Sequence, residues 1–263
     1  MIGFCPLASG SKGNALFLGS QDKKFLIDVG ISLKKLKEKL GEIGVTIDEI
    51  DAILITHEHS DHIKGLEKLT EIWKKPIFCN RETAKVLLCS VKSDLNLKIF
   101  SSSEPFSFGD IDVFPFSIEH DTVDPVGFVF KVEGFKVSVC ADLGFAGTFV
   151  QRALHDSDIL YLESNHEENM VHACARPSVY KRRVLSRLGH LSNDACNTLL
   201  AQVMTNRLKC VYLAHLSSEC NSEELAYKKA VHTLKNTQDV KLYIAHQSKV
   251  SIPFSFVEAA GAV

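Results

Sequence analysis

Six consecutive residues carry the most legible chemistry of this 263-residue chain: His57-Glu58-His59-Ser60-Asp61-His62. They follow the apolar run Ala52-Ile53-Leu54-Ile55-Thr56, so three imidazoles and an aspartate crowd the loop where a buried strand should end. Imidazole nitrogen and carboxylate oxygen are the ligands that zinc, manganese and iron share, and metal binding is the chemistry to expect. In extended backbone, successive side chains alternate faces. His57 and His59 therefore point to one side, while Asp61 and His62 can turn toward a second point, so one loop could feed two ions.

A second ion needs further ligands, and four apolar runs end in candidates. Asp28 follows Phe25-Leu26-Ile27, His120 and Asp121 end the strand around Phe116-Ser117-Ile118, Asp142 follows Val139-Cys140-Ala141, and His215 follows Val211-Tyr212-Leu213-Ala214. An acid or imidazole capping an apolar strand is costly unless something satisfies it there. Each alone could be a turn or cap residue. Together they repeat one arrangement at strand ends, where open α/β sheets place ligands. His246, after Leu242-Tyr243-Ile244-Ala245, competes with His215 for the last position, and Cys140 reads as core.

The elements that must position these groups follow from periodicity. Short strands around the turn Ser20-Gln21-Asp22 open the chain, and Leu33, Leu36, Leu40 and Ile43 recur at helical spacing. After the histidine loop, Ile63, Leu66 and Leu69 predict a helix whose first turn holds Asp61 and His62, and 84–88 reads as a further helix. From Ile111 to Cys140 the pattern is that of neighbouring antiparallel strands. Beyond it strand and helix alternate: strands at 159–162, 210–214 and 242–244, helices near 193–204 and 222–234. Two sheets packed face to face with helices outside satisfy this order within one domain spanning 1–263.

Composition narrows the class. With 45% hydrophobic residues the chain can bury a sizeable core, which excludes disorder and fibres. No run is long enough to span a membrane, the first residues lack a basic leader, and eight scattered Cys without CxxC spacing suit reduced thiols, so a cytoplasmic protein is expected. A net charge of −2 gives no global pull on nucleic acid. Between Arg176 and His190, however, stand Arg176, Lys181, Arg182, Arg183 and Arg187 with no acid among them, a patch suited to phosphates.

Asp28, His57/His59/Asp61/His62, His120, Asp142 and His215 together resemble the signature of the metallo-β-lactamase superfamily: Asp, HxHxDH, then His, Asp and His at successive strand ends. The resemblance runs from about Ser9 to Gln247 and implies the four-layer αββα sandwich, of α/β class. It also implies two divalent ions, zinc or manganese with iron possible. His57, His59 and His120 would hold one, Asp61, His62 and His215 the other, and Asp142 would bridge; Asp28 would orient its neighbours from behind. The context Ala214-His215-Leu216-Ser217 favours His215 over His246.

Such a site implies hydrolysis, and the second half of the chain bears on the substrate. Leu162-Glu163-Ser164-Asn165-His166-Glu167, the run Lys181-Arg182-Arg183, Gly189-His190-Leu191-Ser192-Asn193 and the opening Ser9-Gly10-Ser11-Lys12-Gly13-Asn14 resemble the YycJ/WalJ (VicX) family. Ala175-Arg176-Pro177-Ser178-Val179-Tyr180 departs from the Tyr-Pro-containing stretch of that family. The family implies a 5′–3′ exodeoxyribonuclease connected with mismatch repair, and hence a DNA partner. Asp61, His190 and Glu163 would be catalytic. His190 would stabilise the phosphorane or protonate the leaving oxygen beside Glu163, and Asp61 would accept the water's proton. Ser9, Ser11, Asn14, Arg182 and Arg183 would meet phosphates. The alternative is a small-molecule hydrolase of a thioester, lactone or cyclic phosphodiester, with the basic run a solvated helix face. A metal-bound scaffold without turnover is the third reading. Oligomeric state and protein partners are not legible in the residues.

Overall fold

The computed structural model describes residues 1–235, 237 and 239–260. Strands β1 (Gly3–Ala8), β2 (Ala15–Gly19), β3 (Lys24–Ile27), β4 (Ala52–Leu54), β5 (Ile77–Asn80) and β6 (Leu97–Phe100) form one sheet, closed at its other edge by β14 (Phe254–Ser255). The second sheet holds β7 (Phe106–Phe108), β8 (Ile111–Ser117), β9 (Val126–Val132), β10 (Phe135–Cys140), β11 (Ile159–Glu163), β12 (Cys210–Ala214) and β13 (Lys241–Ile244). Each sheet begins as an antiparallel meander and ends in parallel strands: β1–β2–β3 then β3–β4–β5–β6, and β7–β8–β9–β10 then β10–β11–β12–β13. Parallel neighbours need helical crossovers, which supply the outer layers. The architecture is the expected αββα sandwich.

Strand alternation sorts the side chains. Phe25 and Ile27 of β3 face the space between the sheets with Phe130, Tyr161 and Tyr212, while Leu26 turns outward beneath Leu36, Leu40, Leu66 and Leu69. On the other sheet Leu160 and Leu162 face the helices Thr148–Leu154 and Asn193–Val203. Cys140 belongs to this outer core and is fully buried. The aromatic contacts Phe25–Phe130 and Phe4–Tyr212, with centroids 6.5 and 5.6 Å apart, tie the two sheets together, and each buried ring contributes roughly 2–3 kcal/mol.

The expected helix through Asp61 and Leu69 is split into Ser60–Ile63 and Leu66–Ile72. Gly65 explains the break. Its N–H donates to Val29 O at 2.8 Å, and a Cβ there would stand 2.0 Å from Ile31 O, so the chain must press against the β3 loop rather than continue its turn. The consequence for function lies in the strand directions. The ends of β1, β3, β4, β8, β10, β11 and β12 all reach the same rim of the sandwich, because each pair is parallel or separated by one antiparallel neighbour.

Candidate metal centre

Three histidines gather at one point of this rim. The rings of His57, His59 and His120 form a triangle with centroids 4.9, 5.3 and 5.0 Å apart, and His120 Nε2 lies 3.3 Å from His59 Nδ1. Beside them His62 Nε2 stands 2.7 Å from Asp142 Oδ2 and 3.8 Å from Asp61 Oδ2, and His215 Nε2 is 3.6 Å from the same Asp61 oxygen. Donor atoms close enough to share an ion occur as His57/His59/His120, His57/His62/Asp142, Asp61/His62/His215 and Asp142/Glu163/His190/His215. His246 is outside these groups and pairs instead with Glu223.

The backbone is bent to bring these groups together. Asp28, Asp142 and His215 have φ of 61°, 55° and 52°, a left-handed conformation that non-glycine residues adopt at a cost and that turns each side chain back over its strand end. Ser9, just past β1, fixes one of these turns: its Oγ accepts from His215 N at 2.8 Å and from Tyr161 Oη at 2.7 Å. Asn165 Nδ2 donates to His215 O at 2.7 Å. Asp28 takes Thr56 N, Thr56 Oγ1 and His62 Nδ1 at 2.9, 2.8 and 2.7 Å, which holds the imidazole with Nε2 toward Asp142.

Charge balance shows what the cluster lacks. Burial opposes ionisation of Asp142, but His215 and His62 outweigh it and hold its carboxyl well below the usual range. Burial likewise works against a charged His62, yet Asp28 and Asp142 push it up to about 10. Burial, then the charge of His62, drives His57 the other way, so it stays a neutral imidazole. Glu163 is fully buried; His190 and His215 overcome that penalty and bring its carboxyl to about 2. Carboxylates packed this deeply require compensating positive charge. Among the described residues, the buried ring nitrogens His57 Nε2 and His215 Nε2 have no hydrogen-bond partner. Unpartnered imidazole nitrogens beside ionised carboxylates fit a divalent cation.

Comparison with known proteins identifies the family. The model of the metallo-beta-lactamase superfamily matches residues 8–200. The chain is 36% identical to exodeoxyribonuclease YycJ of Bacillus anthracis over 226 residues, 85% of each chain. The chain belongs to the YycJ/WalJ family of that superfamily. Exodeoxyribonuclease WalJ of Streptococcus pneumoniae is 35% identical over 246 residues, covering 90% of this chain and 91% of that one. The metallo-beta-lactamase fold protein YhfI of Bacillus subtilis superposes with a TM-score of 0.72 at 16% identity, over 94% of this chain and 97% of that one. With membership of the YycJ/WalJ family comes the enzyme class, a metal-dependent hydrolase.

Around the metal-type donors of this YycJ/WalJ family member, Glu163 is the hub. Oε1 accepts from His190 Nδ1 at 2.8 Å and His215 Nδ1 at 3.1 Å, and Oε2 accepts from Leu143 N at 2.7 Å. His190 is thus oriented through Nδ1, leaving Nε2 as its available nitrogen. Ser9 and Asn14 are buried and spend their polar atoms on the site itself: Asn14 Nδ2 lies 3.4 Å from Asp61 Oδ2 and 3.0 Å from His62 Nε2. Ser11 is exposed on the same loop. On the basic helix Ser178–Val184, Arg183 bonds Asp121, whose carboxylate is 3.4 Å from His120 Nε2, while Arg182 is exposed. Thr56, Tyr161 and Asn165 hold the site without having been predicted. Thr56 reads as one more β-branched strand residue, and Tyr161 as core; Asn165 stands inside the segment that resembles the family, where nothing but proximity to Glu163 marks it.

Proposed function

We propose that this protein is a two-metal phosphodiesterase that degrades DNA from an end, a 5′–3′ exodeoxyribonuclease with a mismatch-repair type of role. The observation that carries the proposal is the His190–Glu163 pair at 2.8 Å, set directly against the metal-type donors. Phosphodiester cleavage must neutralise a charged phosphorane and protonate an alkoxide, and a carboxylate-held imidazole beside the water can do both. The names of the relatives, exodeoxyribonucleases over 85 to 91% of both chains, support the same substrate.

His57, His59 and His120 would hold one ion, Asp61, His62 and His215 the second, with Asp142 between them. Zinc or manganese suits these donors and iron is compatible with them. Bound there, the ions would supply an acidified water and positive charge for the attacked phosphate. The chain's own groups do the rest. Asp61, partly exposed at the mouth, takes the water's proton; His190 Nε2 gives one to the leaving oxygen while Glu163 keeps its ring in register. Arg182, Arg183 and Ser11 meet flanking phosphates, and Ser9 and Asn14 act from behind by fixing His215 and Asp61.

The test is incubation of metal-loaded protein with DNA labelled at one end, beside Asp61→Asn and His190→Ala. Progressive release of nucleotides from the 5′ end by wild type, slowed about a hundredfold or more in both variants, is expected. Turnover of a thioester, lactone or cyclic phosphodiester with DNA left intact would replace the proposal by a small-molecule hydrolase.

A further inference from the structure

Two loops meet backbone to backbone beside the metal donors. Gly144 N donates to Glu119 O at 2.9 Å, and Phe145 pairs with Glu119 in an isolated antiparallel bridge. A Cβ on Gly144 would stand 2.2 Å from Arg187 O and 2.7 Å from Gly189 N, so only glycine lets the 142–147 and 186–190 loops close together. Phe145 is thereby locked among groups that build the site. Glu119 precedes His120, and Gly189, which precedes His190, accepts from His120 Nδ1 at 3.0 Å. Leu143, just after Asp142, is held by Glu163.

On this rigid frame the Phe145 ring faces solvent, 40% exposed, with the Arg187 guanidinium 3.8 Å from its centroid. Leu188, next to Arg187 in the chain, and Phe149, four residues after Phe145, are also exposed, at 46% and 48%. Aromatic faces backed by arginine are what unpaired bases stack on, because every base offers a π-face and the cation serves the neighbouring phosphate. A base within a duplex already has both faces covered.

We propose that Phe145, backed by Arg187, is a stacking shelf for an unpaired nucleobase flanking the scissile phosphate, so that the enzyme engages a single-stranded or frayed end. This rests on the DNA reading above. The test is a cycle between the ring and the base. Metal-loaded wild type, Phe145→Ala, Phe145→Leu and Phe145→Trp are assayed on a single-stranded oligonucleotide and on versions carrying an abasic unit at either nucleotide flanking the first cleaved bond. On intact DNA, Phe145→Ala and Phe145→Leu should raise KM about tenfold with kcat nearly unchanged, and Phe145→Trp should restore it. An abasic unit at one of the two positions should raise the wild-type KM equally and add nothing to Phe145→Ala. Should Phe145→Ala lose metal, Phe145→Leu, which keeps the volume without the π-face, is the variant read. Additive losses at both positions, or an unchanged KM in Phe145→Leu, overturn the shelf while leaving the nuclease intact. Wild type that degrades a duplex end but leaves the single-stranded oligonucleotide uncut overturns the shelf alone; wild type that cuts neither overturns the nuclease reading and the shelf with it.

Discussion

Along the rim of the first sheet the metal-type donors come from one loop, His57 to His62, whereas along the second they come singly, His120 after β8, Asp142 after β10, Glu163 ending β11 and His215 after β12. The first set is braced locally, by Asp28 and Thr56 from the adjoining strands. The second is held by contacts between distant segments: Glu163 to His190, His215 to Ser9, His120 to Gly189. A loop can thus carry the identity of the donors, but their mutual geometry belongs to the fold. Asp142 makes the shortest of the contacts between the two halves, 2.7 Å to His62, and stands 3.4 Å from His215.

Removing that junction should have the largest effect. Asp142→Ala is expected to lower metal-dependent turnover by about a thousandfold or more and to reduce bound metal, read by kinetics and elemental analysis. Next comes the partner that Glu163 of the second set holds. His190→Ala should cost roughly a hundredfold in kcat with metal content retained, which separates proton transfer from metal binding. The first set is probed from behind: Asp28→Asn should weaken metal affinity about ten- to a hundredfold in a chelator competition, because His62 loses the partner that orients it.

A smaller effect is expected on the stability of chelator-treated protein. His62 is raised from its usual 6.5 to about 10, so the stabilisation from its ion pairs is full below pH 6.5 and is lost as pH rises toward 10. Glu163 is depressed from 4.5 to about 2, so its contribution is present above pH 4.5 and is lost as pH falls toward 2. The denaturant midpoint of metal-free protein should therefore peak between those windows, and bound metal should flatten the alkaline decline by displacing the His62 proton. Least of all, Arg183→Ala removes one exposed pair with Asp121 and should raise KM for DNA only a few-fold, with a shallower salt dependence.

The contrast between the rims also accounts for what could be read from residues alone. The histidine loop, Asp28, His120, Asp142 and His215 stand at the ends of recognisable apolar runs, and the order of strands and helices was enough for the sandwich. Gly65 splits a helix whose periodicity continues past it, since the cause is the approach of Ile31 O from the loop after β3. β6 and β7 are partly exposed edge strands and β14 has only two residues, too little alternation to register. Ser9 and Asn14 were legible as hydrogen-bonding residues, but that they face His215 and Asp61 follows from β1 running parallel to β3, a fact of topology.

The measurement that bears most directly on the account is the metal stoichiometry of the saturated protein, set beside its DNA-cleaving activity. Two ions per chain in wild type, and a single ion with activity lost in His215→Ala, is the predicted result. Full DNA cleavage by wild type holding one ion at saturation would contradict the two-metal centre.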